Sequence, residues 1–309
     1  MSRTAANALL LLAALIWGTT FVAQQIGMQD VGPLAFTGIR FLLGALVILP
    51  LAWREYARLA ARGVVIDRHD VLSWIGLGVL LFCGATFQQI GLLDTTVSNA
   101  GFLTALYVPM VPLLAWIIDR QRPHAAVWPA ALGSVIGTFL LSGGELAALT
   151  VGDYWVLSST IFWAAHILWV GRLAMKKGTP ILVAFSQFVT CGVLASSGAV
   201  ATETTQVAGV VAALPTILYS GLLSVGVAFT LQVVAQRHTR APDAAILLSA
   251  ETLFAAAAGA MILGERLSVV QLSGGALIFA CILFVQLAPL IMARQIIARP
   301  PPAPPSREG

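Results

Sequence analysis

Of the 309 residues, 59% are hydrophobic and 10% charged, with a net charge of +4 and a mean hydropathy of +0.91. Soluble domains carry about 25% charged residues, so these proportions exclude a single soluble domain, a disordered chain and, despite the basic balance, a nucleic-acid-binding protein. Ten membrane helices of roughly 20 residues each would leave only loops and two tails, with no room for a soluble enzymatic domain.

Apolar runs read against breakers and charges predict ten such helices. The first five lie near 5–26, 33–53, 71–93, 97–118 and 124–142. The second five lie near 154–171, 180–201, 214–236, 243–263 and 269–291. No run alternates as strand–turn–strand, and lipid accepts only helices or closed barrels, so the fold class is an all-α polytopic membrane protein. The first run reads as a retained span, because its length, Trp17 and the Gln24-Gln25 pair do not suit a cleaved signal. Cys83, Cys191 and Cys281 fall in three different spans without a C-x-x-C, so packing is expected of them rather than metal or disulfide chemistry. Gly133 and Gly137 form a G-x-x-x-G pair that predicts a close helix contact. Residues 294–309, with their proline run from Pro300, read as a disordered cytoplasmic tail.

Charge tests this map independently. With a cytoplasmic N-terminus, every Lys and Arg falls on the cytoplasmic side except Arg40, inside a span, and Arg266. That is the positive-inside signature, and a missed or invented helix midway would scramble it. Both termini are therefore expected in the cytoplasm, in a bacterial inner (plasma) membrane. The basic balance faces lipid headgroups rather than a nucleic acid.

The chain is written twice. Pro33 is followed seven residues later by Arg40-Phe41, and Pro180 seven residues later by Gln187-Phe188. Asn99-Ala100 has Arg122 23 residues on, and Asp243-Ala244 has Arg266 23 residues on. The offsets, 147 and 144, nearly agree, so residues 1–145 and 150–293 read as two five-helix units. Five is odd, so the second unit enters from the opposite side. Inverted repeats place a binding site at the midplane between the halves and give two packings suited to alternating access. Two inverted repeats around a central cavity are the expected architecture.

Few side chains could act inside it. Charge at the bilayer centre costs about 2.5–3.5 kcal/mol, and Glu251 and Arg40 stand well inside spans. Glu251 could meet an amine or switch protonation, or be a neutral structural carboxyl. Arg40 could meet an anion, cap carbonyls or snorkel; its repeat partner is uncharged Gln187. His166 is the one histidine within a span, suited to hydrogen-bonded packing or a proton relay. Trp17, Thr20 and Gln24 share one helix face, as do Trp163 and His166 on the equivalent helix. Gln88, Tyr107 and Gln187 add polar groups that want a neighbour or a wet cavity. These ten residues are the candidate substrate contacts, with packing as the plain alternative for each aromatic.

Several stretches carry a resemblance. Ile16-Trp17-Gly18-Thr19-Thr20-Phe21, Ile39-Arg40-Phe41 and the run from Gly91 to Trp116 resemble the EamA-type branch of the drug/metabolite transporter superfamily. So do Ala250-Glu251-Thr252, Gly264-Glu265-Arg266 and Gly274-Gly275-Ala276-Leu277-Ile278. Thr252 stands where the family usually has proline, and Asp119-Arg120-Gln121-Arg122 where a first Gly-Glu-Arg copy is expected. The resemblance covers essentially the whole chain and implies a ten-helix basket moving small organic metabolites, often outward, without fixing the solute.

The chain lacks a phosphate loop, G-x-S-x-G and H-E-x-x-H. The expectation is a secondary exporter of small metabolites, amino acids foremost, with no cofactor and no catalytic or metal site. Multidrug or nucleoside export is the alternative within the family, and an intramembrane enzyme the alternative outside it. Its partners are a small-molecule substrate and the lipid bilayer, as a monomer or homodimer. Proton coupling through Glu251 or His166 stays open.

Overall fold

The computed structural model describes residues 1–95, 97–120, 122–141, 143–144, 149–262 and 266–297, and all its regular elements are helical. Helices α1 (Arg3–Gly27), α2 (Pro33–Ala61) and α3 (Arg68–Gly91) are continuous. α4 (Val97–Ala105) and α5 (Tyr107–Asp119) meet at Leu106, and α6 (Val127–Leu141) follows. α7 (Val151–Met175) runs through a 3₁₀ turn at Lys176–Gly178 towards α8 (Pro180–Thr202). Next come α9 (Val207–Ala212), α10 (Leu214–Tyr219), a π-helical segment (Ser220–Phe229) and α11 (Thr230–Ala235). α12 (Ala241–Leu248) and α13 (Ala250–Ile262) meet at Ser249, and α14 is Val269–Ile297.

Among the described residues, eight helical runs are long and apolar enough to cross a membrane. The remaining two of the ten expected spans coincide with shorter apolar stretches, Val127–Leu141 and Val269–Phe284. The 15 residues of α6 rise about 22 Å, less than a hydrocarbon core of about 30 Å. Gly143 and Gly144, at φ 116° and 74°, end that helix early. Three expected spans are also interrupted rather than continuous: at Leu106, through Ser220–Phe229, and at Ser249. Residues 294–297, read from the sequence as part of the tail, instead continue α14. Residues 298–309 lie outside the described residues, as do Gln121 and the Gly264-Glu265 of the Gly-Glu-Arg motif. Large apolar side chains such as Leu46, Leu132, Val200 and Met261 point outward, as a lipid-facing belt requires.

Helix starts follow local chemistry. Pro33 and Pro180 occupy first turns, where a missing N–H costs nothing. Asp67 with Asp70, and Thr150 with Asp153, form capping boxes at α3 and α7. α2 and α8 cap each other. The Glu203 carboxylate accepts from Leu34 N at 2.7 Å and Ala35 N at 2.9 Å. Glu55 accepts from Leu182 N at 2.8 Å and from Ile181 N. Each acid, at or near the C-terminal end of its helix, thus satisfies orphan N–H groups at the start of the other, so the two helices lie antiparallel. Phe41 and Phe188 meet between them with ring centroids 6.2 Å apart.

Other packing pairs also exchange between the halves. α3 lies on α7 as the run of α10, the π segment and α11 lies on α1; α2 packs on the π segment as α8 packs on α3. α6 and α14 approach through glycine: a Cβ on Gly137 would stand 2.8 Å from the Gly274 carbonyl oxygen. The G-x-x-x-G spacing pointed to that contact.

The two ends differ in charge. At one, Lys176 pairs with Asp70 at 2.8 Å, Lys177 pairs with Asp67 at 3.0 Å and with Asp70, and Arg3 pairs with Asp243 at 2.8 Å. Backbone N–H donation and Lys177 hold the Asp67 carboxyl below its ordinary range. Asp67, His69 and Asp70 lie close enough to share a cation, but the lysines already engage both carboxylates. At the other end Asp94 and Asp153 tie α7 to the chain after α3: Thr95 donates to Asp153 at 2.6 Å and Thr150 to the Asp94 carbonyl at 3.0 Å.

Candidate functional site

A cavity of about 540 Å³ of empty space, its mouth included, opens among α1, α2, α3, α4, α5, α7, the π segment, α11, α12 and α13. Helical periodicity supplies its walls. On α1, Trp17, Thr20, Phe21 and Gln24 form one stripe at three- and four-residue spacing. On α7, Trp163 and Ile167 repeat it one turn apart. Arg40 comes from α2 and Gln88 from α3, while Thr104 with Tyr107, and Leu248 with Glu251, flank the two helix interruptions. The interruptions place a polar side chain one or two residues beyond each break, where the helical ladder is already disturbed.

The π segment contributes differently. Its i→i+5 winding recurs at functional sites inside helices; here the Ser224 carbonyl accepts from Trp17 Nε1 at 3.3 Å. Phe229, the last π residue, stacks with Trp163 at 6.1 Å and an interplanar angle of 20°, and touches Trp17 at 4.6 Å. Three aromatic rings thus make one apolar wall.

The polar side is incompletely paired. Arg40 donates to Gln24 Oε1 at 2.8 Å and lies over the Phe36 and Phe41 rings at 5.7 and 5.2 Å, yet it has no acidic partner among the described residues. Tyr107 OH donates to Glu251 Oε1 across 3.4 Å, longer than the 2.5–3.0 Å usual for such bonds. Gln88 donates to Thr104 at 2.9 Å. Arg40 Nε, Trp163 Nε1 and Gln232 Oε1 are buried without a protein partner. Buried polar atoms ordinarily find one, so these atoms are free to serve a polar guest.

Eight of the ten sequence-derived candidates line this cavity: Trp17, Thr20, Gln24, Arg40, Gln88, Tyr107, Trp163 and Glu251. His166 and Gln187 do not. His166 Nε2 donates to Gln187 Oε1 at 2.7 Å, both fully buried, with the imidazole edge-on to Trp163 and Phe229. Sequence reasoning missed Phe21, Thr104, Ile167, Ser224, Phe229, Gln232 and Leu248. Phe21 and Ile167 were readable as the i+4 neighbours of Trp17 and Trp163, and Gln232 as another intramembrane amide. Nothing local announces the Ser224 carbonyl.

The sequence profile of the EamA-like transporter family matches the chain twice, over residues 4–143 and 150–287. An uncharacterized transporter of Archaeoglobus fulgidus is 30% identical over 287 residues, spanning 93% of this chain and 87% of its own. The uncharacterized inner membrane transporter YicL of Salmonella typhimurium is 28% identical, spanning 90% of this chain and 93% of its own. A crystal structure 19% identical in sequence superposes with a TM-score of 0.75 over 95% of this chain and 99% of the other, which shows a shared fold.

Proposed function

The chain belongs to the EamA-like transporter family, and on that premise we propose that it exports zwitterionic amino acids by alternating access, without catalysis. The family and its relatives establish an integral membrane transporter; the solute, the direction and the cycle are our reading. We take residues 1–145 and 150–293 as two inverted five-helix units, a reading supported by the antiparallel, mutually capped α2 and α8 and by the exchanged packing pairs. The basic end is taken as cytoplasmic, with both termini there, in a bacterial inner membrane.

One observation carries the solute assignment. The cavity lining holds a single base and a single acid, Arg40 and Glu251, neither of them in a salt bridge among the described residues, beside an aromatic wall. A zwitterion supplies the missing carboxylate and amine together, so neither charge is buried unpaired. Trp17, Trp163 and Tyr107 would hold its apolar side chain. Oriented pairing of this kind costs nothing in net charge when the solute enters.

The test is counterflow of labelled amino acids in proteoliposomes. Glu251→Gln and Trp163→Ala are each expected to abolish flux while the purified proteins keep their folded chromatographic profile. Wild-type flux in both variants would overturn the assignment. Flux indifferent to an imposed pH gradient would remove Glu251 as a coupling group.

A further inference from the structure

A second cavity lies at the basic end, with about 980 Å³ of empty space, its mouth included. It is lined by Arg172, Arg237, Arg240, His124 and His238, with Asp243 as its one acid. Arg3 already pairs with Asp243 at 2.8 Å. Arg237 and Arg240 form no ion pair among the described residues. Partial desolvation, the N-terminal amine and Arg237 hold the His238 imidazole below its ordinary range.

Helices α5, α7 and α12 contribute to the walls of both cavities. On α5, Tyr107 faces the central cavity and Ala115 the basic one, a separation of about 12 Å at 1.5 Å per residue. Gln232 and Gln236, on α11 and at its C-terminal end, do likewise about 6 Å apart. Between them sits a dry plug: Leu10, Val108, Val111, Ala245 and Leu247 are all fully buried. Gln236 Nε2 fastens the plug by donating to the Ile167 carbonyl at 2.9 Å. The basic cavity is therefore an antechamber one or two helical turns from the central one, closed off from it in this conformation.

Positive-inside topology explains why basic residues lie at this end. It does not explain why arginines from α7 and from the segment joining α11 to α12 converge on one concavity whose single acid is already paired with Arg3. Guanidinium groups bind carboxylate or phosphate oxygens through fixed forks, and a concave basic surface concentrates anions. We propose that this antechamber is an anion-recruiting site whose Arg237 and Arg240 take the carboxylate of a solute before it reaches the central cavity. This rests on the transport reading above and narrows it: solutes with a free carboxylate and no net positive charge are preferred. A phosphate of an anionic lipid headgroup offers the same oxygens.

L-glutamate is the probe, with L-lysine as the cationic counterpart, and thermal stability of the whole purified protein the readout. A ligand of the native state raises the midpoint by mass action. In neutral phosphatidylcholine nanodiscs at low salt, glutamate is expected to raise it at lower concentration than lysine. The double variant Arg237→Gln/Arg240→Gln should bind glutamate roughly tenfold more weakly, and Arg237→Lys/Arg240→Lys should recover most of the loss. Raised salt should weaken the effect in the wild type, because exposed charges are screened beyond about 10 Å at 0.1 M.

In an Arg40→Gln background, where the central cavity has lost its guanidinium, Arg237→Gln/Arg240→Gln should still weaken the remaining glutamate shift, which separates this site from that one. An unchanged glutamate response in Arg237→Gln/Arg240→Gln would overturn the proposal. So would equal responses to glutamate and lysine, or stabilisation by phosphatidylglycerol nanodiscs without any by glutamate, which would assign the arginines to lipid.

Discussion

Positions 144 apart in the two halves, Tyr107 and Glu251, meet across the central cavity, a phenol on one side and a carboxylate on the other. Positions 147 apart diverge more: Arg40 lines the cavity and bonds Gln24, whereas Gln187 bonds His166 away from it. The frame behaves differently. Phe41 meets Phe188, and Glu55 and Glu203 cap each other's helices through the same two N–H positions after a proline. Where the halves hold one another they repeat a residue type; at two matched pairs, Arg40 with Gln187 and Tyr107 with Glu251, they differ in charge. A solute with an amine at one end and a carboxylate at the other has no twofold symmetry, so a cavity built from two similar halves must break its own symmetry to orient it.

The largest expected effect comes from erasing that difference. Arg40→Gln gives the first half the amide of the second. Truncating one side of a buried hydrogen-bonded charge pair costs about 2–5 kcal/mol, so amino-acid flux in proteoliposomes should fall by about 30-fold or more at 1.4 kcal/mol per tenfold. The thermal midpoint should hold or rise, since an unpaired buried charge is removed. Retained flux would mean the charge difference between the halves has no part in transport.

The matching change in the second half should act on stability alone. Gln187→Leu leaves the buried His166 N–H without an acceptor, at a cost of about 1–3 kcal/mol. Adding His166→Leu replaces both partners with apolar groups and should restore most of the midpoint. Flux per folded molecule should match wild type in both variants. A flux loss in the stable double variant would bring His166 and Gln187 into the transport path and dissolve the contrast with Arg40.

Much of this was legible beforehand because hydrocarbon penalises polar side chains and helices repeat every 3.6 residues. Those two facts alone mark Trp17, Thr20 and Gln24 as one face, and single out Arg40 and Glu251. They did not separate Gln88, at the cavity, from Gln187, away from it, because both are buried amides and only the neighbouring helix decides which way each is satisfied. The breaks at Leu106 and Ser249 and the π segment were also hidden. An apolar run reads as continuous helix, whereas a change in winding depends on what the freed carbonyl meets, here Trp17 for Ser224. The mutual caps of Glu55 and Glu203 join residues 127 and 169 apart in sequence, beyond any local pattern.

Those caps provide the smallest and most symmetric test. Each carboxylate satisfies two orphan N–H groups at the start of the opposite helix. Losing a side-chain cap costs about 0.5–2 kcal/mol. Glu55→Ala and Glu203→Ala should therefore lower the thermal midpoint by similar amounts. Because the two caps lie at opposite ends of one antiparallel helix pair, their losses should add in the double variant, as for distant sites without shared partners. On the proposed cycle of two equivalent packings, the pair should be equally well held at both ends. If one variant is clearly the more costly, α2 and α8 are anchored at one membrane face and hinge at the other, and the frame is then as asymmetric as the cavity it encloses.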